Sequence, residues 1–197
     1  KKLVSVIAKK AVPVRFVTTG EQINIGSAII SMIWPSGEQI AKGKNFISAL
    51  QKSSTVLGAS AVGELNDYSL VFDLHYGMFD VLFTGDADNH VNKNFVGAPL
   101  ADEQVEVLKV PHHGSRTGMT EEFLDWVFPR SRPGLVPHPQ LAVISVGKNS
   151  YGHPSEETRA KLAARGIPVK RTDQEGDIEV VSDGVSWTVK TSKTQKR

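Results

Sequence analysis

Short apolar runs closed by Gly, Pro or Asp set the rhythm of this chain. Continuous runs of four to eight apolar residues predict strands covered on both faces. Four such runs stand out: SAIISMIW (27–34), FDVLFTG (79–85), VEVLKV (105–110) and LAVISV (141–146). YSLVFDLHY (68–76) precedes the second of these across Gly77-Met78, a hairpin signal. VPVRFVT (12–18) is β-rich and leads into a turn plus short strand in TGEQINIG. Helical signals fall between the strands. TEEFLDWVFP has Thr120 as cap, Glu121 and Glu122 in the first turn, and Pro129 as stop. SEETRAKLAARG (155–166) is the best helix, from the cap Ser155 to the closing Gly166. LVSVIAKKA (3–11) reads as the end of a helix. IPVKRT, DIEVVS and SWTVK are strands, the last two joined by Asp183-Gly184. Residues 38–65 read as a surface excursion, with a short helix in NFISALQKSS. Strands alternating with helices predict a layered α/β fold, and no linker or repeat divides the chain. A single domain over residues 1–197 follows, with 190–197 as a frayed tail.

Composition narrows the chemistry. The chain has 197 residues, no Cys and a formal net charge of +2. Disulfides and thiolate metal sites are excluded, so any metal must use His, Asp or Glu. The charge is too small for a nucleic-acid footprint by itself. The longest apolar run is far short of the ~20 residues of a membrane span. No G-x-S-x-G elbow, phosphate loop or dinucleotide fingerprint occurs. Trp34, Trp126 and Trp187 sit in apolar contexts that suit a core rather than a stacking platform.

The polar residues of interest follow three of the buried strands. Asp86 follows 79–85, His112 and His113 follow 105–110, and the stretch from Gly147 to His153 follows 141–146. In α/β sheets, loops beyond the carboxyl ends of strands gather into one place. One carboxylate and two or three imidazoles there suit Zn²⁺ or Mn²⁺. His75 lies within a strand and His138 on a Pro-rich loop, which suits structural or exposed roles. His90 follows Asp86 and Asp88 closely and is a further ligand candidate.

Together, NDYSLVFDLHYGMFDVLFTGDAD, VLKVPHHGSRTG, AVISVGKNSYGHPSEET and VKRTDQEGDIEVVSDG resemble the metallo-β-lactamase-like domain of ComEC-type DNA-internalisation competence proteins, from about residue 12 to 189. The resemblance implies an α/β fold of αββα sandwich type, N-terminally truncated. The superfamily's H-x-[HD]-x-D-H signature matches no segment here, so the first strands and main metal loop are expected to be absent. Asp86 resembles the metal-bridging carboxylate. His112, His113 and His153 resemble ligands or catalytic histidines, with the roles of the paired histidines left open. Lys109, Ser115, Asn149 and Tyr151 are their motif neighbours and implied substrate contacts. Asn66 stands where many relatives outside the ComEC type have a histidine ligand. The resemblance implies a Zn- or Mn-dependent nuclease or phosphodiesterase, with one or two ions, weak or inactive as this chain alone. Its substrate would be single-stranded DNA or another phosphodiester. Its partner would be the membrane-channel domain of the same protein, and its place an extracytoplasmic domain of a bacterial membrane protein. The other readings are a non-catalytic interaction module of this fold and a stand-alone hydrolase of small phosphodiesters.

Overall fold

The computed structural model describes residues 2–43, 65–102, 104–129 and 139–193. NFISALQKSS and His138 lie outside the described residues, as does 194–197 of the basic tail. Seven strands form one sheet in which spatial order follows chain order: β1 (Gln22–Ile25), β2 (Ala28–Trp34), β3 (Val71–Tyr76), β4 (Phe79–Phe83), β5 (Val107–Lys109), β6 (Leu141–Ile144) and β7 (Val169–Arg171). β1 to β4 are antiparallel neighbours, and β4 to β7 run parallel. β8 (Ile178–Ser182) and β9 (Trp187–Thr191) form a separate two-stranded hairpin.

Side-chain alternation assigns the two faces of the large sheet. Val71, Leu82, Leu108 and Ala142 are buried on one face. They pack beneath three of the helices α1 (Lys2–Lys9), α2 (Asn89–Asn92), α3 (Glu121–Val127), α4 (Glu156–Ala164) and α5 (Thr172–Glu175): α2 gives Val91, α3 gives Phe123 and Leu124, and α4 gives Leu162. On the other face Phe79, Val81, Val107 and Leu141 meet Val180, Trp187 and Val189 of the hairpin. The order of layers is therefore helices, large sheet, small sheet. This double cover explains why β4 to β6 read as unbroken apolar runs. The two β-turns at one end also meet. Met78 N donates to Gly184 O at 2.6 Å, and a Cβ on Gly77 would lie 2.3 Å from that oxygen. Gly77, at φ +68°, has to be glycine for this approach.

Helix caps match the residues that predict them. Thr120 Oγ1 accepts from Phe123 N, and Ser155 Oγ accepts from Thr158 N. Trp34, Trp126 and Trp187 all pack into apolar surroundings. Three expectations change. Residues 12–18 form no strand: they have no sheet neighbour, and Val14 and Phe16 stay exposed. Residues 37–43 are helical, started by Ser36, whose hydroxyl accepts from Gln39 N at 3.1 Å. This S-x-x-Q pattern is a capping-box signal that Pro35 and Gly37 hide. The strand β9 continues through Lys190 and Thr191, so the terminal tail begins later than residue 190. No helix among the described residues is long and apolar enough to cross a membrane.

Candidate functional site at the carboxyl ends of the parallel strands

Because β4, β5 and β6 are parallel, their carboxyl ends open on the same edge of the sheet. The three loops read as chemistry-bearing therefore come together. β4 leads through Thr84 and Gly85 to Asp86. β5 leads to His112 and His113, and β6 to the loop ending in His153.

Each loop is fixed by hydrogen bonds that leave the imidazoles facing one another. Asp86 N donates to Ser69 Oγ at 3.0 Å, and Lys109 Nζ donates to Gly85 O at 2.6 Å. Lys109 Nζ also lies 3.7 Å from Asp86 Oδ1. Burial depresses the Lys109 pKa, and the nearby Asp86 carboxylate opposes that shift. In the β5 loop His112 and His113 both have left-handed backbones, at φ 45° and 54°, followed by Gly114 at 81°. Such conformations cost about 1–2 kcal/mol for residues with a Cβ, and strain of this kind clusters at functional sites. Gly114 permits the turn, since a Cβ there would sit 2.6 Å from Pro154 Cβ. The β6 loop is held by Asn149. Its Oδ1 accepts from Tyr151 N and His153 N, and its Nδ2 donates to Gly147 O and His153 O. Thr172, after β7, anchors the start of that loop by accepting from Val146 N and donating to Val146 O.

The acceptors define the imidazole tautomers. His113 Nδ1 lies 2.7 Å from the Ser145 carbonyl, which can only accept, so Nδ1 carries the hydrogen. His112 Nδ1 lies 2.9 Å from Asp88 Oδ1, a carboxylate acceptor, with the same result. Both Nε2 atoms are left for acceptor or ligand roles, as in metal sites whose histidines are oriented by outer partners. His113 Nε2 faces Asp86 Oδ2 at 3.5 Å. The rings of His112 and His153 are 5.6 Å apart, and those of His112 and His113 are 6.3 Å apart. Burial lowers the His153 pKa, with His112 and His113 adding to the effect and Asp88 and Asp86 opposing it. Its Nδ1 is buried and has no hydrogen-bond partner among the described residues.

Asp86 and His113 suit a shared divalent ion: two bonds of ~2.1 Å at a tetrahedral angle separate donors by about 3.4 Å. The set is incomplete, however. Among the described residues no three metal-competent side chains are gathered closely enough to hold an ion.

The remaining candidates divide. Tyr151 joins the site edge, stacked on His153 at 5.9 Å. Ser115 is buried, 7% exposed, with its hydroxyl against Thr117 Oγ1. His90 pairs with Asp67 Oδ1 at 2.5 Å, and His75 with Asp80 Oδ1 at 2.8 Å. Asn66 is half-buried, with its backbone carbonyl accepting from Ser69 N. Asp88 and Thr117 are additions that the sequence reading did not place in the site. Asp88 Oδ1 also accepts from Thr117 Oγ1 at 2.8 Å, so one carboxylate oxygen serves both residues. The D-A-D spacing of Asp86 and Asp88 is the signal available in the sequence.

The chain is similar to three curated proteins. It is 33% identical over 115 residues to ComE operon protein 3 of Bacillus subtilis, covering 58% of this chain and 13% of that protein. It is 33% identical over 115 residues to competence protein ComA of Neisseria gonorrhoeae, covering 58% and 15%. It is 30% identical over 116 residues to recombination protein 2 of Haemophilus influenzae, covering 58% and 13%. These relatives are ComEC-family competence proteins, and the similarity spans only about one seventh of their length. No family model matches the chain.

Proposed function

We propose that this chain is a metallo-β-lactamase-like hydrolase domain that cleaves DNA phosphodiesters during competence-related DNA uptake. The observation that supports this reading is the convergence of Asp86, His112, His113 and His153 on one sheet edge. The similarity to competence proteins supplies the biological setting. In this reading the helices, large sheet and hairpin correspond to three layers of an αββα sandwich, and the domain works outside the cytoplasm beside a membrane channel.

A Zn²⁺ or Mn²⁺ ion, or a pair, supplies Lewis acidity and an activated water when bound. Asp86 and His113 are the pair of donors that the described residues would bring to one ion. The chain's own residues have separate tasks. Asp88 and the Ser145 carbonyl orient the two imidazoles, while Lys109 fixes the loop that carries Asp86. With its Nδ1 engaged by Asp88, His112 has Nε2 left to exchange a proton with the departing or attacking oxygen. With its ligand set incomplete, the isolated chain is expected to be slow.

Incubation with linear single-stranded DNA and Mn²⁺ or Zn²⁺, beside bis(p-nitrophenyl) phosphate, tests the reading. Slow metal-dependent DNA cleavage that disappears in Asp86→Ala and His113→Ala is expected. Preference for the small diester would favour a stand-alone phosphodiesterase. The incomplete ligand set favours a second reading, a non-catalytic module of the same fold. Absence of any metal-dependent cleavage would favour that module.

A further inference from the structure

Tyr151 is the most exposed large apolar residue of the described chain, with 82% of its surface accessible. Its backbone position is nevertheless well fixed. Tyr151 N donates to Asn149 Oδ1, and the same oxygen accepts from His153 N two residues later. The phenol ring is offset from the His153 imidazole and near-parallel to it, 5.9 Å between centroids and 22° from parallel. His153 in turn stands 5.6 Å from His112. The result is a short aromatic series that starts in solvent and ends at the candidate centre. The imidazole sits offset beside the outermost ring and covers little of it, so that a flat ligand can reach the phenol face. Exposure alone would be ordinary for a single side chain; what singles out Tyr151 is its place at the outer end of the aromatic series that leads to the candidate centre, where an aromatic ring offers a contact for a flat ligand.

We propose that Tyr151 is a base-stacking residue, which receives an unpaired nucleobase next to the phosphodiester presented to His112 and His113. The proposal rests on the phosphodiesterase reading of the site. A flat ring beside a phosphate-cleaving centre selects a ligand with a π-face close to its phosphate, and that ligand is a nucleotide strand. In a duplex the base faces are already stacked, so the platform distinguishes single from double strands. Base–aromatic stacking tolerates any base, which suits a strand taken without regard to sequence.

Fluorescence anisotropy with three labelled probes tests this: a single-stranded dT 12-mer, an abasic 12-mer of equal phosphate count, and a 12-base-pair duplex. The unmodified chain should bind the dT strand about 5- to 150-fold tighter than the abasic strand. Tyr151→Ala should abolish that difference while leaving abasic binding unchanged, and Tyr151→Phe should retain it. Equal binding of dT and abasic strands by the unmodified chain would overturn the proposal. So would an equal loss on both strands in Tyr151→Ala, or failure to bind any strand. The two readings separate cleanly. Stacking without cleavage leaves the platform standing and removes the hydrolase. Cleavage with unchanged strand binding in Tyr151→Ala does the reverse.

Discussion

Replacing Asp80 by Asn removes a carboxyl group that the fold holds at a large electrostatic cost. Asp73, Asp80 and Glu106 are all buried, with Asp80 near the start of β4, Glu106 just before β5, and Asp73 opposite Leu82 in the register of β3 with β4. Asp80 Oδ1 meets His75 Nδ1, and Asp80 N donates to Glu106 Oε2 at 2.7 Å. Asp73 Oδ1 and Asp80 Oδ2 have no hydrogen-bond partner among the described residues. Burial, reinforced by the nearby Asp73 and Glu106 carboxylates and opposed by His75, pushes the Asp80 pKa from 3.8 up to about 7. A carboxyl with a raised folded-state pKa keeps its proton longer in the folded state than in the unfolded chain. Its stabilising contribution is complete below pH about 4, declines as pH rises, and is gone above pH about 7. Three pH units at about 1.4 kcal/mol each place the ceiling near 4 kcal/mol. Asparagine has the shape of the neutral acid at every pH and cannot lose a proton. Urea unfolding at pH 4, 6 and 8 should therefore show the two proteins equal within about 1 kcal/mol at pH 4. Asp80→Asn should lead increasingly at pH 6 and 8, reaching at most about 4 kcal/mol, or roughly 10 °C in Tm. A gap that is the same at all three pH values would refute the reasoning, as would an Asp80→Asn protein less stable at pH 8.

The left-handed backbone at His113 gives a second outcome. His113→Gly and His113→Ala both lose the bond to Ser145, but only Gly relieves the strained φ. His113→Gly should be more stable than His113→Ala by about 1–2 kcal/mol in urea titration, and equal values would exclude strain. Asp88→Ala removes the acceptor shared by His112 and Thr117. It should cost about 1–3 kcal/mol of stability, and histidine NMR should show His112 leaving the Nδ1–H tautomer. Ser155→Ala, at the start of α4, should cost about 1 kcal/mol, read as a lower urea midpoint.

Most of the central architecture was legible because β4, β5 and β6 are covered on both faces and so carry unbroken apolar runs. The helix caps Thr120 and Ser155 were equally plain. The segment 12–18 misled because β-rich composition does not create a strand without a neighbour to accept its hydrogen bonds. Residues 37–43 were missed because Pro35 and Gly37 mask the Ser36 cap. Within the candidate site, Asp86 and the histidines could be placed from their position after strands. The roles of Asp88 and Ser145 could not, since they depend on contacts 24 and 32 residues distant in sequence. The buried Asp73 and Asp80 were likewise invisible as a pair, because strand register rather than local pattern brings them together.

Long-range proton–nitrogen NMR of the histidine side chains during a Zn²⁺ titration tests the candidate site most directly. His112 and His113 are expected in the Nδ1–H tautomer before metal is added, with Zn²⁺ shifting the Nε2 resonance of His113 first and Asp86→Ala abolishing that shift. An Nε2–H tautomer for both histidines, or Zn²⁺ acting first at His75 or His90, would contradict the account.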